Sequence, residues 1–452
     1  MTDMESSPSF AHYKRFKEIL VADPGFLPDL RQDPKGTLAA HFLSVPVALF
    51  APHLSLPVRS WPFADIDRRV MGTDWRHEIP GVDESAIINP RFKAWFRRQQ
   101  ERIRGQFVKP HADLLNQVLF AFELSVGCSG GCDFCTFSAP SLEEVFRYTE
   151  KNQHLWRGIL IAAREVIGPA AGFCTGYWAT DPFDNPDYEK FCRDAHACFG
   201  RFPKTTTIKG QVSPPRSLEF QKMVSEKQGI PTFFGFSVTS LDMLDRIHSR
   251  FSPEELEFIG LALNNPEAST RYSNTGRIRE LTGEKPGEEK IYLEGTSACL
   301  TGFLLNLPRR TIRLISPCPP SEAWPFGYLV FDSVRFSDPP DFARRLEWLI
   351  AEHMTVSRPS EQILRIRTDL DLTLLEDGFE LKTPHLKHTF TGDPLLRELG
   401  RSLATGSHRI ADLEEKFILY TASPDFISDT VRRLFEAGLL VEPGNGATSN
   451  DD

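Results

Sequence analysis

Between residues 116 and 310 short apolar runs of strand length alternate with longer amphipathic stretches, and this alternation limits the fold more than any other feature of the chain. Residues 118–126 (Val-Leu-Phe-Ala-Phe-Glu-Leu-Ser-Val) form the first strand candidate, 172–178 the second, 204–208 the third and 232–238 the fourth. Residues 217–227 read as a helix between the last two. A capping box at Ser141-Leu-Glu-Glu144 opens a helix towards Ile167. Ser252-Pro-Glu-Glu255, with Ser at the N-cap and Pro at the first helical position, opens another. Strands joined through helices pair in parallel, so an α/β fold with a parallel sheet or barrel is expected.

The flanks read differently. Residues 1–115 form a helical extension: Tyr13, Phe16, Ile19 and Leu20 make an apolar stripe closed by Asp23-Pro24-Gly25, 46–63 are Pro-rich and irregular, and 90–104 are again helical. Apolar runs at 298–307 and 311–315 look like two more strands, followed by the rigid turn Ser316-Pro-Cys-Pro-Pro320. With 116–335 as the central domain, 336–441 form a smaller α+β unit. It has an amphipathic helix at 342–354, a hairpin signal at Asp377-Gly378, helices at 395–403 and 428–437, and a Gly438-Leu-Leu-Val441 ending. Its order resembles a winged helix, which in an acidic protein serves to grip a peptide or pack a domain. Residues 442–452 are expected to be disordered.

The net charge is −9 and no long Lys/Arg run is present, which argues against a nucleic-acid partner. No apolar stretch approaches the ~18 residues of a membrane span, and the first residues lack the basic and apolar regions of a signal peptide. A cytoplasmic protein is expected, with no membrane partner. Its eight cysteines, at 128, 132, 135, 174, 192, 198, 299 and 318, are then thiols or metal ligands rather than disulfides.

Three of them stand in Cys128-Ser-Gly-Gly-Cys132-Asp-Phe-Cys135, directly after the first strand candidate. Thiolates suit iron–sulfur or zinc, and zinc asks for a fourth ligand that does not follow at finger-like spacing. Three thiolates on a Gly-containing loop can wrap one face of an iron–sulfur cube and leave one iron open.

The C-x3-C-x2-C spacing at the end of the first strand resembles the radical S-adenosylmethionine (SAM) superfamily, with Phe134 at its usual aromatic position. Ala179-Thr-Asp-Pro-Phe-Asp-Asn-Pro-Asp187, after the second strand, looks like that family's Gly-Gly-Glu-Pro motif, with Ala179 and Thr180 in place of the glycines and Asp181 in place of Glu. The resemblance implies a partial (β/α)6 TIM-like barrel. It also implies a [4Fe–4S] cluster on Cys128, Cys132 and Cys135, and SAM held near Phe134, Ala179, Thr180 and Asp181. Lys209, Gln211, Ser213 and Ser237, ending the third and fourth strands, would meet its ribose or carboxylate. An electron donor such as flavodoxin or ferredoxin is implied as a partner.

Cys318 stands stiffly among prolines, and a thiol so held could return a hydrogen atom to a substrate radical. In this the chain resembles the proteusin-type radical SAM epimerases that install D-residues in ribosomally made peptides, which implies a precursor peptide with its leader as partner. Cys299 is the rival donor; Cys174, Cys192 and Cys198 read as core thiols. Arg271, Arg277 and Arg279, with Asn274-Thr-Gly276, read as a solvated loop or as contacts to substrate or SAM. Three alternatives stay open: another radical SAM peptide maturase (cross-linking, methylation or backbone excision), an iron–sulfur sensor, or a zinc module.

Overall fold

The computed structural model describes residues 9–71, 81–115, 117–228, 234–269, 273, 275–283, 285, 295–358, 360–418 and 425–442. These form a mixed α/β protein. β1 (Val118–Glu123) lies between β8 (Leu300–Asn306) and β4 (Cys174–Thr175) in a five-stranded sheet of order β10 (Tyr328–Arg335), β9 (Thr311–Pro317), β8, β1, β4. A second sheet orders β5 (Thr205–Thr207), β6 (Phe234–Val238) and β7 (Gly260–Leu263). A parallel bridge between Thr175 and Lys204 links the two sheets, so β8, β1, β4, β5, β6 and β7 follow one another in parallel. No closed barrel exists among the described residues. β9 and β10 extend the first sheet as antiparallel strands beyond β8.

Every residue of β1 is buried, as expected of a parallel strand covered on both faces. On its outer face Phe122 meets Trp156 of the Glu150–Ile167 helix edge-on at 4.9 Å, and Phe303 of β8 stacks on Phe92 of the Pro90–Gln106 helix at 5.6 Å. Burying each such ring is worth roughly 1.5–3 kcal/mol. The inner face is a separate apolar group containing Val118, Ala121, Trp178, Leu304, Ile315 and Tyr328.

Several sequence expectations change. Ser141–Glu144 do not start a helix: Ser141 bridges to Cys128, and Glu144–Val145 is a short strand, β3, on β2 (Ser125–Val126). The Glu143 and Phe146 N–H groups donate to the carbonyls of Val126 and Leu124, so this backbone folds onto the strand end instead, and the helix starts at Glu150 under a Thr149 cap. At Ser252 both capping-box hydrogen bonds form, but a turn follows and leads into β7, whose pairing with β6 overrides the local signal. β10 and the Ile410–Phe417 helix were not read from the sequence.

Among the described residues, 9–71 and 81–115 carry helices and no strand, and Tyr13 to Ile66 build their own apolar core. Towards the C-terminus β11 (Asp371–Leu375), β12 (Gly378–Lys382) and β13 (Lys387–Thr391) form an antiparallel sheet. It packs with three helices, Pro394–Thr405, Ile410–Phe417 and Phe426–Glu436, around a core running from Leu364 to Leu440. Glu442, expected in a disordered tail, is buried and paired with Arg98 at 3.0 Å. No helix of the described residues is long and apolar enough to cross a membrane.

Candidate functional site

The cysteine loop leaves the carboxyl end of β1, at the edge where parallel strands present their following loops. Cys128, Cys132 and Cys135 are half-buried free thiols. A Cβ built on Gly130 would stand 3.3 Å from the Cys128 sulfur and 3.4 Å from that of Cys132, so both thiols face the space left by this bare Cα. Burial pushes the Cys128 thiol up to about 12 and the Cys132 thiol up to about 11, with neighbouring acidic groups and thiols adding to the effect. Such thiols keep their protons at neutral pH unless a metal displaces them.

Among the described residues no three His, Cys, Asp or Glu side chains are gathered around one point that could hold a metal ion. A single zinc needs every sulfur about 2.3 Å from one centre, whereas the thiolates of an iron–sulfur cube each meet a different iron. Three half-buried thiols on one loop are soft donors of the kind either centre takes.

Two anchors fix this loop. The Ser129 backbone N–H and hydroxyl both donate to Asp184, which also pairs with the Lys209 ammonium. On the other side, the Arg277 backbone N–H donates to the Cys135 carbonyl at 3.0 Å, and its guanidinium donates to the carbonyls of Cys132 at 3.1 Å and Ala139 at 2.5 Å. Gly276 makes this approach possible: with φ +57°, a Cβ there would fall 2.6 Å from the Cys135 and Thr136 carbonyl oxygens. Arg277 is therefore neither solvated nor free for a ligand. Arg271 and Asn274 lie outside the described residues.

Asp181 is buried and accepts from the Thr207 hydroxyl (2.7 Å) and from the Ile208 and Phe183 N–H groups (both 2.8 Å). Burial raises its pKa despite these donors, making it a weaker acid. It ties the end of β4 to the end of β5, and its carboxylate is engaged by the chain itself. The Ala179 N–H donates to Glu123 at 2.9 Å, and Thr180 is buried. Phe134 is half-buried on the loop. Lys209 is committed to Asp184, the Gln211 carbonyl accepts from Arg250, and Ser213 is exposed. Ser237 on β6 faces away from Phe234, Phe236 and Val238, which belong to the outer core.

Cys318 lies far from this loop. The antiparallel ladder of β8 and β9 brings the Cys318 end of β9 to the level of Leu300 and Val118, at the amino end of β1. With about 3.3 Å per residue along β1, that is roughly 17 Å from the end of the strand that leads into the cysteine loop. The thiol is 4% exposed, packs in the outer core beside Arg102, and is pushed up to about 12 by burial. Cys299 is at the same end but on the inner face, near Lys204 and Tyr177. Cys174 and Cys192 are core thiols.

The sequence reading missed Ser129, Asp184, Glu123 and Asn306. Asp184 was within the quoted motif; its pairing with Ser129 spans 55 residues and left no local mark. Glu123, in the middle of an apolar strand, was the available signal. Its carboxyl is raised by burial and accepts from Ala179 and from the Asn306 amide at 3.0 Å, joining β1, β4 and β8 at the carboxyl edge.

Fold and site together define a mixed α/β protein with a three-thiol loop at the carboxyl edge of its parallel strands. The chain belongs to the family of the uncharacterized protein y4wI of Sinorhizobium fredii, to which it is 30% identical across 97% of its own length and 88% of that protein's. It is also similar to an aspartate–tRNA ligase of Leuconostoc citreum, 27% identical over 188 residues, 40% of this chain and 29% of that protein. No family model and no solved structure matches the chain.

Proposed function

We propose that the chain is a radical SAM enzyme in which Cys128, Cys132 and Cys135 hold one [4Fe–4S] cluster, on a partial (β/α)6 barrel formed by its six successive parallel strands. The observation that carries the reading is the loop itself: three half-buried thiols, two sharing the space at Gly130, pinned from both sides at the carboxyl edge of β1. When bound, cluster and SAM supply a 5′-deoxyadenosyl radical by one-electron reduction of SAM. The protein's own part is placement. Asp184 and Arg277 fix the loop, Ala179 is held by Glu123, and Phe137, two residues past Cys135, stacks on Trp178 at 4.6 Å and screens the inner face from water.

The substrate in this reading is a ribosomal precursor peptide, and the C-terminal unit, whose own core runs from Leu364 to Leu440, is suited to gripping its leader. The positions of Cys318 and Cys299, at the amino end of the strands, favour outcomes that need no thiol beside the substrate. Cross-linking, methylation or backbone excision is therefore preferred to stereoinversion. Anaerobic reconstitution with iron and sulfide should give a brown protein with about four irons per chain that cleaves SAM under dithionite, and the Cys128→Ser/Cys132→Ser/Cys135→Ser protein should do neither. A colourless wild-type protein holding zinc would overturn the reading. Deuterium uptake into the peptide from deuterated water would restore stereoinversion.

A further inference from the structure

The inner face of the first sheet carries an arginine whose guanidinium has no hydrogen-bond acceptor among the described residues. Arg313 on β9 stands opposite Leu304 and shares its face with Ile315, both members of the inner apolar group. It is half-buried, and its side chain makes no hydrogen bond or ion pair among the described residues. Its field reaches Glu123 and Tyr328 and favours ionisation of both, while the oxygens of the Glu123 carboxyl are taken by Ala179 and Asn306. The guanidinium donors are left without an acceptor beside apolar neighbours, an arrangement that an anion would complete.

Beside it is an aromatic wall. Phe137 stacks on Trp178 at 4.6 Å, Trp178 meets Tyr328 edge-on at 5.9 Å, and Phe326 stacks on Tyr328 at 6.3 Å. Trp178 is 6% exposed, and its indole N–H lies by the Tyr328 phenol without closing a hydrogen bond of normal geometry. A buried donor left open in this way is normally completed by a partner. The wall starts at Phe137, two residues beyond Cys135, so a molecule lying on it is next to the cysteine loop.

We propose that this face is the substrate site and that it takes a carboxylate on Arg313 with an apolar, ring-sized group against Phe137, Trp178 and Tyr328. A guanidinium meets a carboxylate through two parallel N–H donors, which gives both affinity and orientation. The carboxylate could belong to the substrate or to the methionyl part of SAM. Depth assigns it to substrate: Arg313 is level with Leu304 and Ala121, two residues deeper in the sheet than the Glu123–Asn306 pair at the carboxyl edge. The inference rests on the radical SAM reading for the chemistry but not for the binding.

Saturation-transfer NMR on the full chain tests it, with phenylacetate and benzyl alcohol as probes and SAM titrated in parallel. Phenylacetate should bind wild type about tenfold more tightly than benzyl alcohol, the size of one charge-assisted pair. Arg313→Gln should remove that preference, and Arg313→Lys, which keeps the charge but not the paired donors, should retain part of it. Circular dichroism confirms that each variant is folded, and the lysine variant decides if the glutamine one is not. Equal phenylacetate affinity in wild type and variants, no phenylacetate binding at all, or a loss of SAM affinity as large as the loss for phenylacetate would each overturn the proposal. Phenylacetate binding at Arg313 in a protein that takes up no iron would instead sink the cofactor reading and leave this site standing.

Discussion

Ser129 gives both of its donors to one carboxylate: its N–H reaches Asp184 at 2.9 Å and its hydroxyl at 2.6 Å, and the Asp184 side chain is completely enclosed. The residue after the first cysteine is thereby fixed to the segment after β4, with the Lys209 ammonium completing the carboxylate's shell.

Replacing Asp184 by Ala strands two Ser129 donors and the Lys209 charge. Hydrogen bonds to a charged group contribute roughly 1.5–3 kcal/mol each, and their losses here overlap because they share one acceptor. The iron-free protein should lose about 2–3 kcal/mol in urea denaturation, and the reconstituted one should retain less iron. Wild-type stability in the variant would mean that the loop is held elsewhere.

Arg277 acts on the same loop from the other side as a positioning residue. Arg277→Ala should release iron to a chelator about tenfold faster than wild type, the equivalent of one charged hydrogen bond. Arg277→Lys should recover part of this, because a charge remains but the fork that spans the Cys132 and Ala139 carbonyls does not. Gly276→Ala tests the same contact through sterics alone, and unchanged iron release in all three variants would refute the clamp.

Asp187 predicts an acid-sensitive anchor. Hydrogen bonds from Lys190 (2.8 Å), Arg147 (2.8 Å) and the Tyr148 N–H (3.1 Å) hold its carboxyl well below the usual carboxylate range. A lowered folded-state value means that the unfolded chain takes up the proton first. The contribution is thus complete above the unfolded value near 4 and is lost as pH falls below it. Unfolding free energy measured from pH 5 to pH 2 should fall less steeply in Asp187→Asn than in wild type; parallel curves would remove the anchor.

Cys318 should be silent to alkylation. At 4% exposure and with its thiol pushed up to about 12, it offers little thiolate and no access. Peptide mapping after iodoacetamide treatment at pH 8 should find Cys318 unmodified in the native protein and modified once urea unfolds it. Native labelling at a rate like that of an exposed thiol would contradict the buried position.

Local patterns were legible where the chain's own neighbours decide. The strands at 118–123, 205–207, 234–238 and 300–306 were visible as apolar runs, and the hairpin at Asp377-Gly378 as a turn signal. The capping signals at Ser141 and Ser252 misled because backbone donors found carbonyl partners in β1, β2 and β6 that no window of residues reveals.

By itself, the sequence determined the thiol triplet, its place at the end of a strand and the alternation that makes the strands parallel. Those depend on short spacings and on periodicity. Only the tertiary structure decided which groups meet across long separations. It set Asp184 on Ser129 and Arg277 on the cysteine loop, left the Arg313 side chain without a hydrogen-bond partner among the described residues, and moved Cys318 to the far end of the sheet. The physical reason in the last case is strand direction: an antiparallel β9 carries its C-terminal end away from the edge that the parallel strands share.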